Sequence, residues 1–283
     1  MNSLHDAIVA ATSQLAQAGV ASPRVDAELL AAYVLGKERK ELLTVEQFPA
    51  SAERRFWELV RKRCARIPLQ HLTGTASFHQ LDLAVGPGGF IPRPETELLV
   101  EWGLSVMGRE PVVVDLCAGT GAIGLAVAHQ RPDAIVYAVE AEPDALTWLH
   151  RNAERRRAAG DRPITVVAGD ATDPHVLAGL DGRVDLVLAN PPYVPSGVRV
   201  PEEVAKHDPS QAVFAGGDGL AVIRPLVSRA AALLRPGGWF GVEHDDSHGE
   251  VVPRLLTEGG WTEVSDHTDL AGRPRYATAR RAA

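Results

Sequence analysis

Asn190, Pro191, Pro192 and Tyr193, in the stretch DLVLANPPYV, follow an apolar run of strand character that they bring to a stop. Proline has no backbone N–H and forces the residue before it into an extended conformation. Asn190 is therefore held at a strand end with its carboxamide beyond the sheet, and the carbonyls around Pro191 lack a ladder partner. The Asn190 side-chain oxygen and the Pro191 carbonyl then form a rigid pair of acceptors, suited to the two hydrogens of a planar NH2 group packed against Tyr193. The nitrogen of such a group is a poor nucleophile, because its lone pair is delocalised. Fixing both hydrogens aims that lone pair at an electrophile, and the acceptors bind the nitrogen better as it turns cationic, so no strong base is needed beforehand.

Three further strand ends carry acids. The run PVVVDLCAGTGAIG ends a strand at Asp115 and turns through Cys117, Ala118, Gly119, Thr120 and Gly121 into a helix. Gly119, Gly121 and Gly124 formally match the GxGxxG of dinucleotide sites. Here, however, an acid precedes the glycines by several residues, and no Arg or Lys for phosphate lies nearby. The next strand closes on Glu140, placed to accept the hydroxyls of a ribose. The one after closes on Asp170, followed by Ala171, where an adenine amino group could donate. Each acid alone reads equally well as a simple strand-end or cap residue. Three in succession would repel a pyrophosphate and suit a cationic cofactor instead, which points to S-adenosylmethionine.

The elements that must hold these residues fall into two patterns. Up to about residue 73 the chain reads as short helices: a first amphipathic one with Leu4, Ile8, Ala11 and Leu15 on one face, a second between Ser22 and Gly36 with Val25, Leu29, Ala32 and Tyr33 on one face, and a third from Ser51 to about Arg66. Residues 74–94 read as a connector, with a hairpin through Phe78, Leu81, Leu83 and Val85 and then a rigid Gly-Pro loop. From 95 to 283 helices alternate with strands, and the last two strands form an antiparallel hairpin. The expectation is an α/β fold, a doubly wound parallel sheet with its ligands at the carboxyl ends of the strands.

Composition bounds the rest. The 283 residues are 45% hydrophobic and carry a net charge of −7, which argues against a dedicated nucleic-acid surface. The basic clusters at Arg54–Arg66 and Arg151–Arg162 sit at helical spacing and read as solvated faces, the first also suited to an RNA-associated or acidic partner. Two cysteines make no disulfide framework, the start of the chain has no basic leader, and no run is long enough for a membrane span, so the cytoplasm is the expected compartment. His207, His244, Asp245 and His248 have no metal-ligand spacing, and no metal is expected.

On the segments FIPRPETELLVE (Phe90 to Glu101), DLCAGTGAIGLAVA, NPPY and AGGDGLAVIRPL (Ala215 to Leu226), the chain resembles the bacterial peptide-chain-release-factor glutamine methyltransferases over nearly its whole length. NPPY alone is shared with enzymes that methylate adenine or other planar amino groups; the Ile-Pro-Arg-Pro-Glu-Thr-Glu run after a helical domain is more specific. The resemblance implies a seven-stranded Rossmann-like methyltransferase domain, a small helical domain that helps dock the release factor, and methylation of the Gln in that factor's Gly-Gly-Gln loop, with no direct nucleic-acid substrate and no membrane. It implies that Asp115, Cys117 to Gly121, Glu140, Asp170, Ala171 and Asn190 line the cofactor pocket, that Asn190 to Tyr193 hold the glutamine, and that Arg93 and Pro94 close over the cofactor. Cys117 stands where the family has its first glycine, Glu140 where Asp is commoner and His248 where Gln is usual. The remaining alternatives are an adenine-type amino-methyltransferase using the same acceptors, and, from a different class, a nicotinamide-binding oxidoreductase or a non-catalytic binding module.

Overall fold

The structure, a computed structural model, describes residues 3–283; Met1 and Asn2, the first two residues of the expected helical domain, lie outside the described residues. Contacts divide the chain into two units, one comprising the chain up to Thr75 together with Val200–His207, the other Ala76–Arg199 with Asp208–Ala283. The hairpin set apart above as a connector belongs, from Ala76 onward, to the second unit.

The first unit is helical: α1 (Leu4–Gln17), α2 (Pro23–Leu35), α3 (Ala50–Cys64) and α4 (Leu69–Thr73). Ser3 caps α1 by accepting the Asp6 N–H at 3.0 Å. Leu4, Ile8, Ala11 and Leu15 are buried as their spacing requires, against Leu30, Phe48, Phe56 and Leu59. In α2 the expected face is wrong. Of the expected residues Ala32 is buried and Leu29 half-buried, but Val25 and Tyr33 are exposed, and Ala27, Leu30 and Ala31 take their place in the core. The sequence PRVDAELLAAYVL is apolar nearly all round, so periodicity does not choose a face. A buried ion pair does: Arg63 Nε donates to Asp26 Oδ2 at 2.7 Å, which turns Asp26 and its neighbours inward. Arg63 is thus no solvated residue, although the other basic residues of α3 are largely exposed.

The second unit opens with the hairpin β1 (Thr75–Phe78) and β2 (Leu81–Ala84), then α5 (Thr96–Val106), β3 (Val112–Leu116), α6 (Ala122–Gln130), β4 (Ile135–Glu140), α7 (Pro143–Ala158), β5 (Thr165–Ala168) and β6 (Val184–Ala189). The short α8 (Glu202–His207) belongs to the first unit, where Arg63 and Arg66 both reach the Glu203 carboxylate. The chain then continues through α9 (Ile223–Leu233), β7 (Leu234–Glu243), α10 (Val251–Glu258), β8 (Thr262–Thr268) and β9 (Pro274–Arg280). Seven strands form one sheet in the order β5-β4-β3-β6-β7-β9-β8, parallel up to β7 and antiparallel at β9 and β8.

Strand order reverses beside β3, which pairs with β4 on one side and β6 on the other, so the crevice at the carboxyl ends of β3 and β6 is the natural ligand site of this topology. Register fixes what faces it. Leu116 pairs with Ala189 and Ala189 with Val242, so Cys117, Asn190 and Glu243 each stand at, or one residue beyond, the end of three adjacent strands.

Candidate active site

At those strand ends lies a cavity of about 400 Å³. Cys117 to Thr120 line it from the turn after β3, Glu140 to Glu142 from the end of β4, Gly169 to Thr172 from the end of β5, and Asn190 and Pro192 from the end of β6. Its outer wall comes from two loops: Gly88, Phe90, Pro92 and Thr96 before and at the start of α5, and Pro209, Gln211 and Ala212 before α9.

Glu140 organises the floor. Its Oε2 accepts the Gly119 N–H at 2.7 Å, and its Oε1 accepts those of Ala141 and Glu142 at 2.9 and 2.8 Å. One carboxylate thereby pins the glycine turn to the start of α7. Gly121 has φ +91°, and a Cβ there would stand 2.5 Å from Leu149, so only glycine lets the turn lie this close to α7. Cys117 adopts φ +62°, a left-handed conformation that a glycine would take at lower cost. Burial, followed by the charges of Glu140, Asp115 and Asp170, pushes its thiol pKa far up, so it stays protonated. Asp170 Oδ1 accepts from both the N–H and the hydroxyl of Thr172, at 2.8 and 2.7 Å.

Several expected residues sit outside the cavity lining, among them Gly121, the last residue of the glycine turn, which packs against Leu149. Asp115 is fully buried and is not in the cavity wall; its Oδ2 accepts the Gly124 N–H at 2.8 Å, so it braces the first turn of α6 from beneath. A strand-end acid followed by a helix start has its nearest unsatisfied donors in that helix. Arg93 and Pro94 do not line the cavity either. The Arg93 guanidinium lies 4.9 Å from the Phe90 ring centre and donates to Asp208 Oδ2 at 2.5 Å, tying one outer loop to the other. Phe90 and Pro92 supply the wall that Arg93 and Pro94 were expected to form. Pro191 and Tyr193 also stand outside the lining.

Tyr193 is instead the end of a buried chain of hydrogen bonds. Its hydroxyl donates to Glu243 Oε1 at 2.8 Å, Thr96 Oγ1 donates to Glu243 Oε2 at 2.7 Å, and Asn190 Nδ2 donates to Thr96 Oγ1 at 3.0 Å. Burial raises the Glu243 carboxyl above the usual range, while the bonds from Thr96 and Tyr193 and the charge of Arg275 pull it back. Burial and then the Glu243 charge keep the Tyr193 phenol protonated. The loop carrying these groups is held from behind: Val194 N–H donates to Val213 and Ser196 N–H to Gly216, and a Cβ on Gly219 would stand 2.3 Å from the Tyr193 carbonyl. Sequence reasoning missed Thr96 and Glu243. The available signal was the one already used for β3, β4 and β5, because GWFGVEH is a fourth strand closing on an acid.

Three carboxylates, Glu140, Glu142 and Asp170, and no basic side chain among the described residues line the cavity. That donor set fits a cationic cofactor and opposes a pyrophosphate. No cluster of three or more potential metal ligands occurs among the described residues; His244 is taken up by Asp266 and His248 by the Asp218 carbonyl.

Residues 6–74 match the family described as the PrmC N-terminal domain, and residues 94–208 that described as the methyltransferase small domain. The release factor glutamine methyltransferase of Mycolicibacterium smegmatis is 52% identical over 100% of this chain and 99% of its own length. The chain belongs to the release factor glutamine methyltransferase family. The namesake from Streptomyces coelicolor is 49% identical, again over 100% of this chain and 99% of its own. Among solved structures, a methyltransferase from Pyrococcus furiosus is similar with a TM-score of 0.52 and 18% identity, over 72% of this chain and 90% of that one, which establishes the class I methyltransferase fold. No helix among the described residues is long and apolar enough to cross a membrane.

Proposed function

We propose that this chain methylates the side-chain amide nitrogen of the glutamine in the Gly-Gly-Gln loop of peptide chain release factors, and that it does so in the cytoplasm with S-adenosylmethionine as donor. The observation that carries the reading is the placement of Asn190 in the wall of an acid-lined cavity at the β3/β6 crevice, in a chain that shares its full length with the release factor enzymes.

When bound, S-adenosylmethionine supplies an electrophilic methyl group on a sulfonium sulfur. Glu140 holds the ribose: three of the roughly four acceptor sites of its carboxylate are taken by backbone N–H groups, which leaves Oε2 with capacity for a hydroxyl. Asp170 and Ala171 hold the adenine edge, and Cys117 to Gly121 the amino-acid portion.

The substrate amide is held by Asn190 Oδ1 and the Pro191 carbonyl, each accepting one of its hydrogens, with the Tyr193 ring beside its plane. Both acceptors gain interaction energy as the nitrogen becomes positive, so the barrier falls without a base, and the surplus proton leaves after transfer. The helical unit up to about residue 73 serves to dock the release factor.

The test is mass spectrometry of the Gly-Gly-Gln peptide from a release factor incubated with the chain and S-adenosylmethionine, with a Gln→Ala factor as control. One methyl on the glutamine supports the reading. Methyl transfer to a nucleic acid, with the release factor untouched, would replace it with the adenine-type reaction.

A further inference from the structure

A carboxamide can face a substrate with either of two ends. Only the oxygen of Asn190 accepts from a substrate NH2; with the group turned over, two NH2 groups would confront each other. The orientation is therefore decisive for the reaction, and nothing on Asn190 itself chooses it.

Proton counting along the buried chain does choose it. Glu243, as a carboxylate, only accepts. It lies 2.7 Å from the Thr96 hydroxyl and 2.8 Å from the Tyr193 hydroxyl, so both must donate to it. Thr96 has a single hydroxyl proton. With that proton given to Glu243, its oxygen only accepts from a third group, and the Asn190 atom 3.0 Å away must be the NH2. The Asn190 oxygen then points to the other side, where it has no protein partner among the described residues and where the cavity lies. Thr96 and Glu243 are 2% and 1% exposed, so water does not compete for these bonds.

We propose that Thr96 and Glu243 are positioning residues for methyl transfer, acting through the Asn190–Thr96–Glu243–Tyr193 hydrogen-bond chain to fix the Asn190 carboxamide with its oxygen toward the substrate amide. The inference rests on the function proposed above. Glu243 lies outside the cavity lining, and Thr96, which lines it, has its hydroxyl taken up by Glu243 and Asn190. Thr96 starts α5 and Glu243 ends β7, so the chain also ties the helix after the outer loop to the sheet end next to Asn190. The same carboxylate accepts from the Tyr193 hydroxyl, so one buried group holds both the Asn190 and the Tyr193 side chains of the NPPY loop.

Two measurements test it. Asparagine occurs three times, at Asn2, Asn152 and Asn190, so isotope-labelled asparagine gives three side-chain NH2 signals, and Asn190→Asp identifies the relevant one. In the unaltered chain one Asn190 side-chain proton is expected to exchange with solvent at least about tenfold more slowly than in a free peptide. Thr96→Val, equal in shape but without the hydroxyl, abolishes that slowing, and Thr96→Ser preserves it. In the methylation assay Thr96→Val and Glu243→Gln lower kcat by about tenfold or more, with the release factor KM and cofactor Kd changed by less than about threefold, and Thr96→Ser restores kcat. Unslowed exchange in the unaltered chain overturns the proposal, as does Thr96→Ser matching Thr96→Val in kcat. A loss seen only as weaker cofactor binding or a lower melting temperature also overturns it, in favour of a structural role. If the unaltered chain fails to methylate a release factor, the function proposed above falls before any variant is made, and the exchange measurement still decides whether the network holds Asn190.

Discussion

The Gly124 N–H reaches the Asp115 carboxylate at 2.8 Å from the first turn of α6, and the other oxygen of that carboxylate is buried without a partner among the described residues. Burial, opposed by the Gly124 bond and reinforced by the Glu140 charge, pushes the Asp115 pKa up to about 7. An acid whose pKa is higher folded than unfolded binds its proton more tightly when folded. Its contribution to stability is complete below the unfolded value near 4, falls as pH rises, and levels off above about 7. Asp115→Asn keeps an oxygen for Gly124 and removes the ionisation. Urea unfolding across that range is expected to show the wild type losing roughly 3 to 5 kcal/mol relative to Asp115→Asn between pH 4 and 8. Parallel stability curves would place Asp115 in contact with water or a counter-charge.

Glu140 shows a different use of a strand-end acid. Replacing it by Ala leaves the N–H groups of Gly119, Ala141 and Glu142 without their acceptor in a cavity wall that water reaches, so the stability cost is held to about 1–3 kcal/mol. Ligand binding suffers more, because the same change removes the ribose acceptor and loosens the glycine turn. Titration calorimetry of Glu140→Ala with S-adenosylmethionine is expected to give a Kd raised by at least about tenfold. An unchanged Kd would move the ribose contact to another residue.

Arg93 and Asp208 join the two loops of the outer wall. The Asp208 side chain is only 2% exposed, so removing the guanidinium leaves a buried charge with less compensation. Arg93→Ala is expected to destabilise the chain by about 2–4 kcal/mol, and a cycle with Asp208→Ala to recover at least about 1 kcal/mol as coupling. Additive losses would show that each residue acts through separate partners.

Much of this arrangement was legible in the sequence. Alternating strands and helices specify a doubly wound sheet, and an acid or an Asn-Pro step at a strand end is visible without coordinates, which is why Glu140, Asp170 and Asn190 were identified and do line one cavity. What sequence spacing does not encode is the direction in which a strand-end group turns. Asp115 and Glu140 look alike in the sequence, yet one faces down into α6 and the other up into the cavity. Thr96 and Glu243 are 147 residues apart and meet only because α5 packs over the end of β7. The α2 face failed for a related reason: the Asp26–Arg63 pair that orients the helix joins residues 37 apart, beyond the reach of any local period.

Asn190 is where these relationships become rate. Its side chain has no charge and, among the described residues, one hydrogen bond, so truncating it leaves little behind to destabilise: Thr96 keeps its bond to Glu243, and the cavity floor around Glu140 is untouched. The loss falls on the transition state, where an acceptor fixed in advance would stabilise the positive charge growing on the amide nitrogen. Asn190→Ala is expected to lower kcat by about a hundredfold or more while the cofactor Kd stays within about threefold of wild type. Asn190→Asp gives the sharper reading. It restores an acceptor, but its second oxygen faces the Thr96 lone pairs, so Thr96 must surrender its bond to Glu243 to donate to it. Its rate is expected to remain well below wild type at neutral pH despite the added negative charge. A fully active Asn190→Asp chain would show that acceptor charge alone, without the orientation Thr96 imposes, is enough for transfer.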